Sequence, residues 1–344
     1  MYKFFEQKAS YLPFFCYFCT AKEVQSVYLK EKNMINRELI RLKVLQLTYA
    51  YYQNNGKSIE SAEKELFVSM SKAYDLYLTL LALIVAIHKE GERRYEIESG
   101  RALREGLPPV NNRFVENRFA HQLANNATLM SFLDDQSHRW DNDDEFVKKI
   151  YTLIATSEMY EKYITGPDSY DNDKEFWRMA YKTFIVDNDD LDEVLESKNI
   201  YWNDDKATVD TFVMKTIRRF SADSDDEYKL LPEYDNEEDD KEFARKLFRN
   251  TLLHAQEYQA YMTDSVQNWD ISRFAYMDII IMQIAIAEML TFPNIPVNIT
   301  ISIYVDLAKL YSTSKSWKFV NGLLDNIAHK LVEEHKMLKQ VKQP

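Results

Sequence analysis

Arg37 and Arg41 stand one helical turn apart, and two cations held that closely on an isolated helix repel by roughly a few tenths of a kcal/mol. An anion bound beside them relieves that repulsion. Toward the other end of the chain, Lys315 and Lys318 put positive charge into a loop and the first turn of a helix, whose unpaired N–H groups also favour phosphate. Phe319 offers a flat face on which an unpaired base could stack, and Asn321 could hydrogen-bond a base edge. Together these residue types suit a single-stranded polyanion. Each also has a plainer reading: Arg37 and Arg41 as a solvated basic face partly compensated by Glu38, and Phe319 as core packing.

Other chemistries lack their residues. No GxSxG elbow, P-loop, GxGxxG or HExxH pattern is present. The six histidines (His88, His121, His138, His254, His329 and His335) are scattered, with no i, i+4 pair and no cysteine nearby, so each reads as a surface or satisfied core residue. Cys16 and Cys19 form a single CxxC, which supplies too few ligands for a closed zinc site and has no βαβ pattern around it to suggest a redox motif. Acidic clusters recur between about Asp134 and Glu242, but none has the spacing of a calcium-binding EF-hand. The sequence therefore predicts no enzyme, no cofactor and no metal.

The elements that must hold these residues are helical. Only six Gly and eight Pro occur in 344 residues, and most of the prolines lie at apparent element boundaries, which points to an all-α fold. With 46% hydrophobic residues the chain can bury a sizeable core. The net charge of -12 repels polyanions overall, so any nucleic-acid site must be a local basic patch. Two cysteines exclude a disulfide framework. No apolar run is read as reaching membrane-spanning length, and Tyr11 to Cys19 is too short and Pro-broken for a signal peptide, which gives an expected cytoplasmic location.

Taken in order, residues 1–33 read as an arm or a mis-assigned start ahead of Met34. A helix from Ile35 to about Gln53 follows, closed by Asn54-Asn55-Gly56, then a long apolar helix through Leu66, Tyr77 and Ile84 capped near Ser58. The arginine-rich run from Lys89 to Arg118 reads as a solvated connection or an auxiliary RNA surface. The acidic stretch predicts short helices joined by Asp/Asn-capped turns, and Glu242 to Met262 a further helix. From Trp269 to Leu290 the chain is apolar on almost every side, so it must be wrapped by other helices. After a turn at Phe292 to Pro296, a helix over about Thr300–Tyr311 leads to a last one whose apolar face is Val320, Leu323, Leu324, Ile327 and Leu331.

This last third resembles the NusB family of bacterial transcription antitermination factors. The resemblance rests on Asp278 through Ala285-Ile286-Ala287-Glu288, the Ile295-Pro296 turn, Leu307-Ala308-Lys309, and Lys318-Phe319-Val320-Asn321-Gly322-Leu323-Leu324-Asp325. It extends to the first helix, where Arg37, Arg41, Gln46 and Tyr49 match an arginine-rich register followed by Gln-x-x-Tyr. It covers about residues 34–85 and 240–335. The resemblance implies a NusB-like helical bundle that binds boxA-type RNA of ribosomal-RNA leaders, together with the ribosomal protein NusE, at the transcription elongation complex. It places Arg37, Arg41, Gln46, Lys315, Lys318, Phe319 and Asn321 on the RNA, Tyr49 and Asp278 on NusE, and Gly322 in close helix packing. The sequence departs from the family where Glu38-Leu39-Ile40 thin the arginine run, where Ser302-Ile303 replace an Asn-Glu pair, and where Gln283 replaces an arginine.

The expected organisation is an N-terminal arm (1–33), a NusB-like helical subdomain with an extension (34–133), an acidic helical insertion (134–239), a C-terminal NusB-like subdomain (240–335) and a tail (336–344). Two other functions compete with RNA binding: a protein-interaction scaffold that has lost RNA affinity, and an RNA-modifying enzyme, which would need a glycine-rich cofactor loop absent here.

Overall fold

From Leu76 to Ile87 nearly every residue of the longest helix, α2 (Ile59–Glu105), is buried, so no side of this stretch faces water. A helix apolar all round is stable only when other helices enclose it. The computed structural model, which describes residues 33–54, 58–265 and 274–337, supplies that enclosure. Among the described residues every regular element is a helix, as the breaker-poor composition predicts. They form two compact units, one running to Leu47 and from Ser58 to Arg245, the other from Thr48 to Asn54 and from Lys246 onward. The N-terminal arm with Cys16 and Cys19, residues Asn55-Gly56 and Trp269 lie outside the described residues.

In the first unit α2 is packed by α3 (Arg118–Ala124), α4 (Ala127–Leu133), α5 (Asp144–Ala155) and α9 (Lys206–Arg219). Part of α2 is long and apolar enough to cross a membrane, contrary to the sequence reading, but 72% of that window is buried inside the protein. The helix also continues to Glu105, through the run read as a solvated connection. Its Arg and Glu residues pair one turn apart: Glu90 holds Arg93 and Arg94, and Arg101 holds Glu105. These arginines neutralise the helix's own acids. Gly106 ends it at φ 66°, the left-handed conformation a side chain disfavours.

Around this core run α6 (Glu158–Ile164), α7 (Tyr170–Phe184) and α8 (Asp189–Lys198). Short helices with Asp or Asn caps were expected here; Asn188 caps α8 as expected, while α6 and α7 are capped by Ser157 and Ser169. The carboxylates sit one step later, in the first turns, where they meet the positive end of the helix dipole. Asp173 is buried and receives Arg118 Nε at 2.7 Å, Arg113 Nη2 at 2.5 Å and the Tyr163 hydroxyl at 2.9 Å. Asp205, which precedes α9, does not cap it but pairs in the core with Lys43 of α1 (Arg37–Gln53). Burial pushes the Asp205 carboxyl up, and Lys43 opposes that shift. Ahead of α1, Met34 and Ile35 are buried and donate their backbone N–H groups to the carbonyls of Pro232 and Glu233 at 2.9 and 2.8 Å.

In the second unit α12 (Tyr276–Thr291) is buried on most sides and packs with α13 (Val297–Tyr311), α14 (Ser316–Glu333) and α11 (Ala255–Asp264). Its Glu288 accepts hydrogen bonds from Thr300 at 2.8 Å and Tyr304 at 3.2 Å, so the buried carboxylate is served from α13. The single helix expected from Glu242 to Met262 is two, α10 (Glu237–Leu253) and α11, separated at His254. Gln283 Nε2 donates to the Thr251 carbonyl at 2.7 Å, taking the acceptor that an unbroken helix would offer to the Ala255 N–H.

Two substitutions probe these arrangements. A Cβ on Gly91 would lie 2.2 Å from Phe114 Cε1 and 2.8 Å from Tyr151 Cε2, so Gly91→Ala should overpack the core. That overrides the ~1 kcal/mol alanine gains in a helix, for an expected net loss of about 1–2 kcal/mol in urea unfolding. Asp205→Ala leaves the Lys43 ammonium buried without its counter-ion, and should cost about 3–5 kcal/mol by the same measurement.

Candidate nucleic-acid interface

The residues expected on RNA fall in both units. In the first, Arg37 opens α1 with its guanidinium 4.2 Å from the Phe243 ring centroid and Nε 3.2 Å from Asp240. Burial pushes the Asp240 carboxyl up while the Arg37 charge pulls it down. The Arg37 side chain remains 41% exposed, which leaves it able to meet an anion. Arg41 is different: it is only 3% exposed, and Nη1 donates to the Arg37 carbonyl at 3.0 Å. A phosphate does not reach it there. Gln46 is half-buried beside the Asp205 carboxyl and belongs to the surroundings of the Lys43–Asp205 pair.

In the second unit Lys315, Lys318 and Asn321 are exposed at the start of α14. Phe319 is half-buried with its ring centroid 4.3 Å from that of Phe274, so core packing accounts for part of its surface. Trp317, which the sequence reading passed over, sits between the Lys318 and Lys309 ammonium groups at 5.4 and 5.5 Å from its ring centroid. An aromatic face flanked by two cations is the arrangement on which unpaired bases stack beside their phosphates. The signal was present as Trp317-Lys318 in sequence, but Lys309 joins them only through the packing of α13 on α14.

The start of α14 is held from below. Asp278 of α12 is buried, and its Oδ2 accepts the Ser316 hydroxyl at 2.7 Å. Ser316 N–H in turn donates to the Thr313 carbonyl at 2.9 Å. Asp278 therefore orients the Lys315–Lys318 turn from inside the unit rather than displaying a carboxylate on its surface. Tyr49 is half-buried against Tyr276, 6.0 Å between centroids and edge to face, and Tyr276 is 45% exposed. Gln283 is buried and also donates to the Tyr52 hydroxyl at 2.5 Å, so the family arginine is replaced by an internal hydrogen-bonding side chain. Gly322 corrects its expected role: it is exposed, and a Cβ there would meet nothing within 4 Å. It does not permit close helix packing; it leaves a low spot on the surface beside Asn321.

The NusB family model matches residues 206–329. The transcription antitermination protein NusB of Geobacter sulfurreducens is 38% identical over 94 residues, 27% of this chain and 68% of its own length. The protein of that name from Geotalea daltonii is 30% identical over 135 residues, 39% of this chain and 90% of its own. The chain belongs to the NusB family. The Chloroherpeton thalassium NusB is 39% identical over 85 residues, but there the chain spans only 40% of the relative's length. No solved structure matches this chain. The NusB match begins at the first residue of α9 and takes in α12, α13 and most of α14, so the lysine-flanked Trp317 and the Asp278–Ser316 anchor lie inside it.

Removing the anchor and filling the low spot should act oppositely. Ser316→Ala takes away the hydroxyl that α14 gives to buried Asp278 and should destabilise by about 1–3 kcal/mol in urea unfolding. Gly322→Ala, in open space within a helix, should stabilise by about 0.5–1 kcal/mol.

Proposed function

We propose that this protein is a non-catalytic transcription antitermination factor that binds single-stranded boxA-type leader RNA of ribosomal-RNA operons. The observation that carries the reading is the exposed basic and aromatic surface at the start of α14, where Lys318 and Lys309, the latter also paired with Asp306 at 2.7 Å, lie beside Trp317 and where Lys315 and Asn321 are exposed. It lies within the stretch that matches the NusB family, whose Geobacter and Geotalea members carry the antitermination name. The lysines neutralise phosphates, Trp317 or the outer edge of Phe319 stacks on a base, and Asn321 reads a base edge. In the first unit, taken by itself, Arg37 offers a separate phosphate contact by exchanging its Asp240 partner, while Arg41 positions Arg37 through the 3.0 Å bond to its carbonyl. Gln46, beside the Asp205 carboxyl, supports the Lys43–Asp205 pair of the first unit rather than touching the RNA.

The protein partner in this reading is the ribosomal protein NusE, and the complex acts on the elongating polymerase in the cytoplasm. The half-exposed Tyr49–Tyr276 pair, with Leu253 and Ile299 also exposed in that unit, supports a protein-docking role. Aromatic residues in such positions dominate binding energy at interfaces. Asp278 contributes by holding Ser316.

The burial of Arg41 and Asp278 favours one other reading, a scaffold that keeps the fold and binds proteins without RNA. The two separate in a binding titration with a boxA-containing transcript, with and without NusE, over a range of salt. Wild type should bind RNA more tightly with NusE present. Lys315→Ala/Lys318→Ala should weaken binding by about tenfold and flatten the salt dependence by about 0.7 log units per lysine, as expected for lost phosphate contacts on single strands. Wild-type protein that binds neither RNA nor NusE would sink the antitermination reading; NusE binding without RNA would favour the scaffold.

A further inference from the structure

In the first unit α2 and α3 bring together three side chains that sequence spacing does not connect. His88 and Glu92 lie one turn apart on α2, and His121 reaches them from α3. The two imidazole rings are 5.1 Å apart, edge to face, and one ligand-capable atom from each of the three residues lies within 4.8 Å of the others. His88 is buried among the rings of Phe114 and Trp177, while Glu92 and His121 are half-buried and open a side toward solvent.

The hydrogen bonds around the pair determine what these rings have left to offer. His88 Nε2 lies 3.1 Å from the Phe114 carbonyl, and His121 Nε2 lies 2.8 Å from the carbonyl of the next residue, Val115. A carbonyl only accepts, so each Nε2 carries the proton and each Nδ1 keeps a lone pair. Glu92 Oε1 stands 3.6 Å from His88 Nδ1, too far for a hydrogen bond. The His88 Nδ1 lone pair and the Glu92 carboxylate thus face one another beside the His121 ring. A lone pair and a carboxylate held this closely repel unless something positive lies between them.

We propose that His88, Glu92 and His121 form a binding site for a divalent transition-metal ion of the zinc class. Two imidazoles and one carboxylate are a ligand set that zinc accepts, with the open side left for water. Anchoring each ring through its other nitrogen to a backbone carbonyl is the usual support for a metal-bound histidine, because it fixes both tautomer and ring plane. Bonds of about 2.0–2.1 Å to a tetrahedral ion put its ligands about 3.4 Å apart, so closing the group asks for shifts of about an ångström. The half-buried Glu92 and His121 side chains have room to make them. The ion would tie α3 to α2 within the first unit, independently of any RNA site.

The test is titration of the untagged, chelator-treated full-length protein with cobalt(II), followed by displacement with zinc(II). One cobalt per chain with a visible ligand-field band is expected, and zinc should raise the melting temperature. His121→Gln and Glu92→Gln, which leave the buried His88 in place, should each lower cobalt affinity by on the order of tenfold or more with helical circular dichroism unchanged. Absence of the band in wild type, or a band undiminished in either variant, overturns the proposal.

Discussion

A helix with no polar face cannot stand alone, and each unit is built on one. In the first unit α2 is closed in by α3, α4, α5 and α9; in the second, α12 is closed in by α11, α13 and α14. Everything with a chemical task is positioned by that enclosure. His121 meets His88 because α3 packs on α2, and Lys309 meets Trp317 because α13 packs on α14. Some of the polar groups drawn inside find partners on neighbouring helices. The Tyr77 hydroxyl pairs with Thr216 at 2.6 Å, and Trp140 Nε1 donates to the Thr79 carbonyl at 3.0 Å, so burying these large rings strands no donor.

The acidic excess has a structural use alongside. Asp173 gathers Arg113 and Arg118, Glu90 gathers Arg93 and Arg94, and Asp205 neutralises Lys43. Most of the arginines that looked available for RNA in the linear sequence are therefore occupied by carboxylates of the same unit. Lys315 and Lys318, exposed at the start of α14, stand apart from such clusters on a chain whose net charge is -12.

Much of this was legible in residue order. The apolar character of α12 and the periodic face of α14 gave those helices, the run Lys318–Asp325 and its companion motifs carried the resemblance to the family, and the scarcity of Gly and Pro gave the fold class. What was not legible depends on partners far away in sequence. Arg37 and Arg41 look alike by spacing, yet one is exposed and the other buried, because side-chain burial is decided by what packs against a helix and not by its own period. Asp278 looks like a surface acid until Ser316 is placed on it. Gly322 looks like a packing glycine until the space around it proves open. The break at His254 has no breaker residue; it comes with Gln283, a side chain on another helix.

The first unit is also assembled across long stretches of chain. Lys43 and Asp205 are 162 residues apart, and Met34 and Ile35 are pinned by Pro232 and Glu233. At a synthesis rate of about 5–20 residues per second, roughly ten to thirty seconds separate α1 from its counter-ion on the ribosome. For much of that interval the apolar middle of α2 has been made while α9, which helps to cover it, has not. This unit therefore completes its fold late in translation, and until then α2 is the segment of the nascent chain that a hydrophobic-binding chaperone would hold.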